Sequence, residues 1–227
     1  MDFFKLIKSL DDLVFEILSW LYFYPRTLLR VLFRPFALMS DTARQMDEDD
    51  EPAFGDRIGP PLFLAITLAL GHFIMLGVDP SAETAQFEGG VLEGFMADDR
   101  NLLAYQIVYF GLLPLFATVR QLGLQHIVVS KSTMKAPFYA HCYAAAGFAA
   151  LTTAAQVGAH EAGEERAALF LAFILGGSLI AILWIGLVEA RWFHRTLDIS
   201  RWKAFGHALL VLGGWAALSI GLDLLLT

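Results

Sequence analysis

Residues 56–78, DRIGPPLFLAITLALGHFIMLGV, constrain this chain more than any other stretch. A charged edge leads into Gly59-Pro60-Pro61, and an apolar run without formal charge then continues to Val78. About 20 apolar residues rising 1.5 Å each cover a hydrocarbon core roughly 30 Å thick. Inside that core only a helix or a closed barrel satisfies its own backbone. Four more apolar stretches of similar length follow, near 101–119, 137–158, 167–188 and 204–226. The expected fold is all-α: a polytopic membrane protein whose five-helix transmembrane bundle occupies 56–227, with a first span at 59–78. Residues 1–55 precede it as a cytoplasmic or interfacial arm with amphipathic helices.

Composition agrees with one membrane domain. Of 227 residues 57% are hydrophobic and 17% charged, against about 25% charged in soluble domains. The net charge of −7 does not describe an acidic soluble protein, because the charges gather at the ends of apolar runs. No domain-wide basic excess exists, so no nucleic-acid partner is expected. Cys142 is the only cysteine and lies in an apolar stretch. It cannot form an intrachain disulfide and reads as a buried structural thiol. Asp11, Asp12 and Glu16 interrupt the N-terminal apolar residues, so no cleavable signal peptide is expected.

In the arm, Leu6, Leu10, Leu13, Ile17 and Leu21 recur at helical spacing over residues 1–24, while Lys5, Lys8, Asp12 and Glu16 occupy other faces. Pro25 is expected to start a second segment. There Arg26, Arg30 and Arg34 fall four apart and form one basic stripe beside Leu28, Leu29, Leu32, Phe33 and Phe36. Two readings stand: an in-plane helix whose arginines meet anionic head groups, or a helix packed on the protein's own spans. The acidic run 47–51 reads as a solvated hinge.

Between the spans, 79–100 is an acidic loop in which VLEGFM could form a short interfacial helix. Residues 120–136 form a connector, Pro137 opens the third span, and HEAGEER at 160–166 is a short loop. Lysine and arginine counts on alternating sides are 14 and 2. By the positive-inside rule the N-terminus is cytoplasmic and the C-terminus outside, as an odd number of spans requires. A bacterial inner membrane is the expected location. Arg191, Arg195 and Trp202, at the inner ends of the fourth and fifth spans, read as interface anchors or as a lipid head-group pocket.

Small residues at spacings of four mark helix contacts in lipid. The third span carries Ala146, Ala150, Ala154 and Gly158, the fourth Ala172, Gly176 and Ser178, and the fifth Gly213, Ala217 and Gly221. The third is expected at the centre, and the other faces pack within the bundle or against another copy. Polar residues inside spans are default functional candidates: His72, Gln106, His141, Thr152, Gln156, Glu189, His207 and Asp223. His141, Ala145, Ala149, Thr152 and Gln156 share one face of the third span, a stripe that could line an aqueous path. No HxxxH, CxxC, ExxH, GxSxG or phosphate-binding glycine motif occurs, so no metal, cofactor or enzymatic activity is expected.

Asp56, Arg57, Ile58, Gly59, Pro60, Pro61 and Leu62, followed by Ala65, Thr67 and Leu68, resemble the lead-in to the first span of the Yip family of small Rab-interacting membrane proteins. In that family Asp-Leu-Tyr-Gly-Pro-Phe-Trp precedes an apolar run containing Thr-Leu; here Ile58 and Leu62 replace aromatic residues. The resemblance extends to the cytosolic arm, span number and orientation, and implies a structural role for Asp56, Gly59 and Pro60. It further implies a membrane organiser that binds partner proteins, whereas bacterial relatives are described as permeases or simply membrane proteins. The leading expectation is a non-enzymatic membrane-organising or partner-binding module meeting lipid, other membrane proteins or further copies of itself. The alternative is a permease or homo-oligomeric channel with a polar path along the third span. A lipid-modifying enzyme is a third, weaker option.

Overall fold

The computed structural model describes residues 3–48, 54–79, 94, 98–162 and 166–226. The arm forms α1 (Phe3–Phe33) and α2 (Pro35–Glu48), followed by α3 (Pro60–Val78), α4 (Asp99–Leu124) and α5 (Lys131–Ala162). Then come α6 (Ala167–Thr196) and α7 (Arg201–Leu226). The expected hinge at 47–51 and the VLEGFM segment fall largely or wholly outside the described residues, as does part of the HEAGEER loop.

Among the described residues four helices are long and apolar enough to cross a membrane: α3, α4, α6 and α7. The third expected span, α5, is not one of them, although it has 32 residues. Its position explains why. Every residue from Ala140 to Ala149 is buried, with α3, α4, α6 and the arm packed around it, so protein rather than lipid surrounds much of its surface. Small side chains serve close packing there, and alanine contributes less apolarity than leucine. The outer helices carry the apolar surface instead. Phe73 and Ile74 on α3, Val108 on α4, Leu175, Ile180 and Leu187 on α6, and Leu210 on α7 are all exposed. So broad an apolar surface is foreign to a soluble monomer and natural against acyl chains.

Helix boundaries correct several expectations. α1 runs through Pro25 without ending, because an interior proline removes one backbone hydrogen bond and need only kink the helix. The break falls at Arg34, just before Pro35 opens α2, a position where proline's missing N–H is harmless. Pro137 likewise lies inside α5 rather than at its start. α5 begins after Ser130, whose Oγ accepts the Thr133 N–H at 3.2 Å while Thr133 Oγ1 accepts the Ser130 N–H at 2.9 Å. That reciprocal cap supplies a start signal independent of hydropathy. The connector expected at 120–136 therefore shrinks to 125–130.

α6 widens into a π turn at Ala172–Gly177. Its contact glycine is Gly177, where an added Cβ would stand 2.5 Å from that of Ala155, and not Gly176, which faces open space. On α7, Gly213 also faces open space and Ala217 is exposed. Its small-residue face thus looks away from the bundle.

The second half of α1 lies across three other helices. Tyr24 packs on Phe63 of α3 at 5.2 Å and places its hydroxyl 3.4 Å from Thr67 Oγ1. Val31 is fully buried against Gly147 of α5, and the Trp184 indole N–H of α6 donates to the Leu32 carbonyl at 3.2 Å. An added Cβ at Gly147 would strike the Trp184 ring and come within 2.7 Å of Val31. Gly147→Ala is therefore expected to cost about 1–3 kcal/mol by overpacking. Purified in detergent, that variant should melt several degrees lower and expose residues 24–33 to protease; unchanged melting and protection would refute the contact.

Candidate functional site

A cluster of buried polar side chains lies at one end of the bundle. His141 of α5 is fully buried, Glu189 of α6 is 1% exposed, and Gln121 of α4 and Trp192 of α6 are also buried. His141 Nδ1 stands 3.0 Å from each Glu189 carboxyl oxygen, hydrogen-bonded to Oε1; Oε2 makes no other hydrogen bond. On the other side His141 Nε2 lies 3.2 Å from Gln121 Oε1, which also accepts the Trp192 indole N–H at 2.8 Å.

These contacts determine where the protons sit. An indole N–H can only donate, so the atom facing it is the Gln121 oxygen, and His141 Nε2 must carry a hydrogen to bond the same atom. Nδ1 then meets the carboxyl across one further proton. Either imidazolium faces carboxylate, or neutral imidazole accepts from a carboxylic acid; both arrangements leave the pair with no net charge. That neutrality lets two ionisable groups persist where an isolated charge would be very costly.

The arm covers the same end. Phe36 of α2 packs 5.9 Å from the Trp192 ring, with the Arg191 and Arg195 guanidinium groups 5.5 and 4.5 Å from its ring centroid. Both arginines expected at the lipid interface thus stack on an arm residue. Trp202, by contrast, is 86% exposed, as an interface anchor would be. His207 Nδ1 accepts from Arg120 Nη2 at 2.9 Å, since a guanidinium only donates. The side chain of Asp223 lies outside the described residues.

The lead-in to α3 acts as a clasp between arm and bundle. Asp56 accepts from Arg30 of α1 at 2.8 Å. Arg57, 6% exposed, donates to Gln45 Oε1 of α2 at 2.7 Å. The Ile58 carbonyl accepts the Tyr143 hydroxyl of α5 at 2.6 Å. Gly59 caps α3 and Pro60 begins it, with Phe54 3.3 Å from where a Cβ on Gly59 would lie. Of the three expected arm arginines, Arg30 is thus engaged by Asp56, while Arg26 and Arg34 are exposed.

Toward the opposite end a cavity of about 760 Å³ opens among α3 to α7. His72, Gln106, Thr152 and Gln156 all line it, so four of the expected intramembrane polar residues converge. His141 does not join them. Ala145 and His141 are sealed in the core, and the stripe expected from His141 to Gln156 is split into a buried half and a cavity-lining half. Among the described residues no continuous polar path along α5 connects the two ends. Missed by sequence reasoning were Gln121, Gln45 and Tyr143, together with the partner that Arg57 of the lead-in meets. The glutamines and Tyr143 carry no positional signal, and the lead-in that contains Arg57 does not say which side chain it meets.

Among the described residues no group of three or more histidine, cysteine or acidic side chains could hold a metal ion. Cys142 is fully buried. Comparison of the chain with protein-family models, curated proteins and solved structures finds no match. What the architecture defines is an all-helical integral membrane protein.

Two outcomes follow from this geometry. Glu189→Gln should melt close to the parent protein, because the amide can donate to His141 Nδ1. Glu189→Ala should cost about 1–3 kcal/mol by leaving that nitrogen buried and unpaired; equal melting of both variants would refute the pairing. The Arg30 hydrogen bond holds the Asp56 carboxyl below its ordinary value of 3.8, burial opposing it and Arg57 assisting. A depressed carboxyl stabilises the fold above its unfolded pKa and loses that contribution as pH falls through its folded value. Arm protection from protease should therefore weaken below about pH 4, and the Asp56→Asn variant should lack that step.

Proposed function

We propose that the chain is a non-enzymatic inner-membrane protein that crosses the bilayer five times. In this reading it acts as a membrane-organising or partner-binding module of the kind its Yip-like lead-in implies. Support for the fifth crossing comes from α5, which runs alongside the apolar helices from the Tyr143 bond at the foot of α3 to Gly71 opposite Thr153. The 14-to-2 division of basic residues supports a cytoplasmic N-terminus and an outer C-terminus.

The observation that carries this proposal is the two-faced seating of α1. Tyr24 and Val31 are held by the bundle, while Leu18, Leu21, Leu29 and Phe33 remain exposed beside the exposed Arg26 and Arg34. Tyr24 meets α3 at Phe63 and Thr67, one to two turns past Pro60. That depth favours an in-plane helix in the inner leaflet, its apolar side against acyl chains and its arginines against anionic head groups.

A second reading, a small-solute permease, draws on the cavity. Its closure at the His141 layer favours alternating access over an open pore.

Native mass spectrometry of protein extracted from membranes containing phosphatidylglycerol tests the arm. Arg26→Gln/Arg34→Gln should halve or further reduce the bound anionic lipid while leaving melting unchanged. Equal retention would overturn the lipid reading. If removal of residues 1–50 left partner recovery and membrane phenotype intact, the organising role would fall. Labelling that found both termini on one side would exclude five crossings.

A further inference from the structure

The outer cavity carries chemistry that the arm does not. Its volume, about 760 Å³, lies in the usual range for small-ligand sites. One wall is a connected set of aromatic rings: Tyr105, Tyr109 and Phe110 from α4, Phe148 from α5 and Trp215 from α7. Trp215 is its hub, 4.9 Å from Tyr109, 6.1 Å from Phe110 and 5.7 Å from Phe148. The indole N–H of Trp215 is already committed to the Tyr109 carbonyl at 3.0 Å. The donor of the hub is therefore spent, and what it adds to the cavity wall is aromatic ring.

The charge balance points the same way. Among the described residues no lysine or arginine lines the cavity. Asp79 stands at its mouth, 3.6 Å from His160. Thr152 spends its hydroxyl proton on the Ala149 carbonyl at 2.8 Å, leaving oxygen lone pairs as its remaining capacity. Among the described residues of the flanking segments, Asp79, Asp98, Asp99 and Glu161 outnumber Arg100 and Arg166, a bias that favours cations. An anion would find only the histidines His72 and His160 here, and His160 already faces Asp79. A small cation with an apolar shell would find π faces, acceptor oxygens and a carboxylate at the threshold.

We propose that this cavity is a binding site for a small organic monocation, a quaternary ammonium or alkylated amine, held against Trp215 and the tyrosines and admitted past Asp79. The proposal rests on the cavity alone and stands whether or not the arm binds lipid or the protein transports its ligand.

The test uses the full chain in nanodiscs of neutral lipid, so that cations cannot act through the bilayer. Choline and tetraethylammonium are titrated against 3,3-dimethylbutan-1-ol, which has choline's shape without its charge, and melting temperature and tryptophan fluorescence are followed. At least one cation should produce a saturable rise in melting temperature, with the neutral alcohol at least tenfold weaker. Trp215→Leu should weaken the cation at least fivefold. Should that variant fold poorly, Asp79→Asn at the mouth should weaken it twofold or more, with a loss that shrinks in high salt. Equal binding of the alcohol, no saturable effect of either cation, or cation binding indifferent to both substitutions would each overturn the proposal. Because none of these readouts involves flux or anionic lipid, a negative result here leaves the arm's reading untouched.

Discussion

Close backbone approach around α5 is the constraint on which the rest of this structure depends. Helices in lipid gain little from hiding apolar surface from one another, so they associate where small residues let their atoms meet. The buried run from Ala140 to Ala149 provides that meeting place. At Gly147 even a methyl group would collide with Trp184 and Val31, so this one position joins α5, α6 and the arm. A bulkier central helix would push the outer helices apart and unseat α1 together with them.

Around this axis the protein sorts its polar groups by depth. At the α2 end, Gln121, His141, Glu189 and Trp192 close on one another, and Phe36, flanked by Arg191 and Arg195, lies over them. The cluster holds its proton internally and presents nothing to solvent. At the other end, polar residues of the same types face a cavity. Histidine and glutamine thus act as structural cement at one end of the bundle and as surface chemistry at the other, with His141 and the cavity-lining Thr152 only a few turns apart on α5.

The lead-in to α3 ties these layers together. Asp56, Arg57 and Ile58 reach α1, α2 and α5 respectively. The arm is therefore part of the folded body, though its outward face remains apolar and basic. A segment so placed touches the bundle on one side and leaves an apolar, basic face on the other, which is the physical basis of the proposed role in membrane or partner contact. The π turn of α6 contributes at the far end: it seats Gly177 on Ala155 and brings Phe170 and Ile174 to the cavity wall.

Read alone, the sequence determined the helical membrane class, the central place of the small-residue helix and the burial of Cys142, because hydropathy and side-chain size are local properties that lipid and close packing read directly. It also singled out His72, Gln106, Thr152 and Gln156, since polar residues in apolar runs stand out without any knowledge of neighbours. The tertiary structure decided which of those residues meet. Gln121 joined His141 and Glu189 because α4, α5 and α6 brought three distant positions to one level, and no spacing along the chain encodes that height. It likewise decided that α1 would pass through Pro25: packing of Tyr24 and Val31 on the bundle offsets one lost hydrogen bond, a balance that exists only once the helices have assembled.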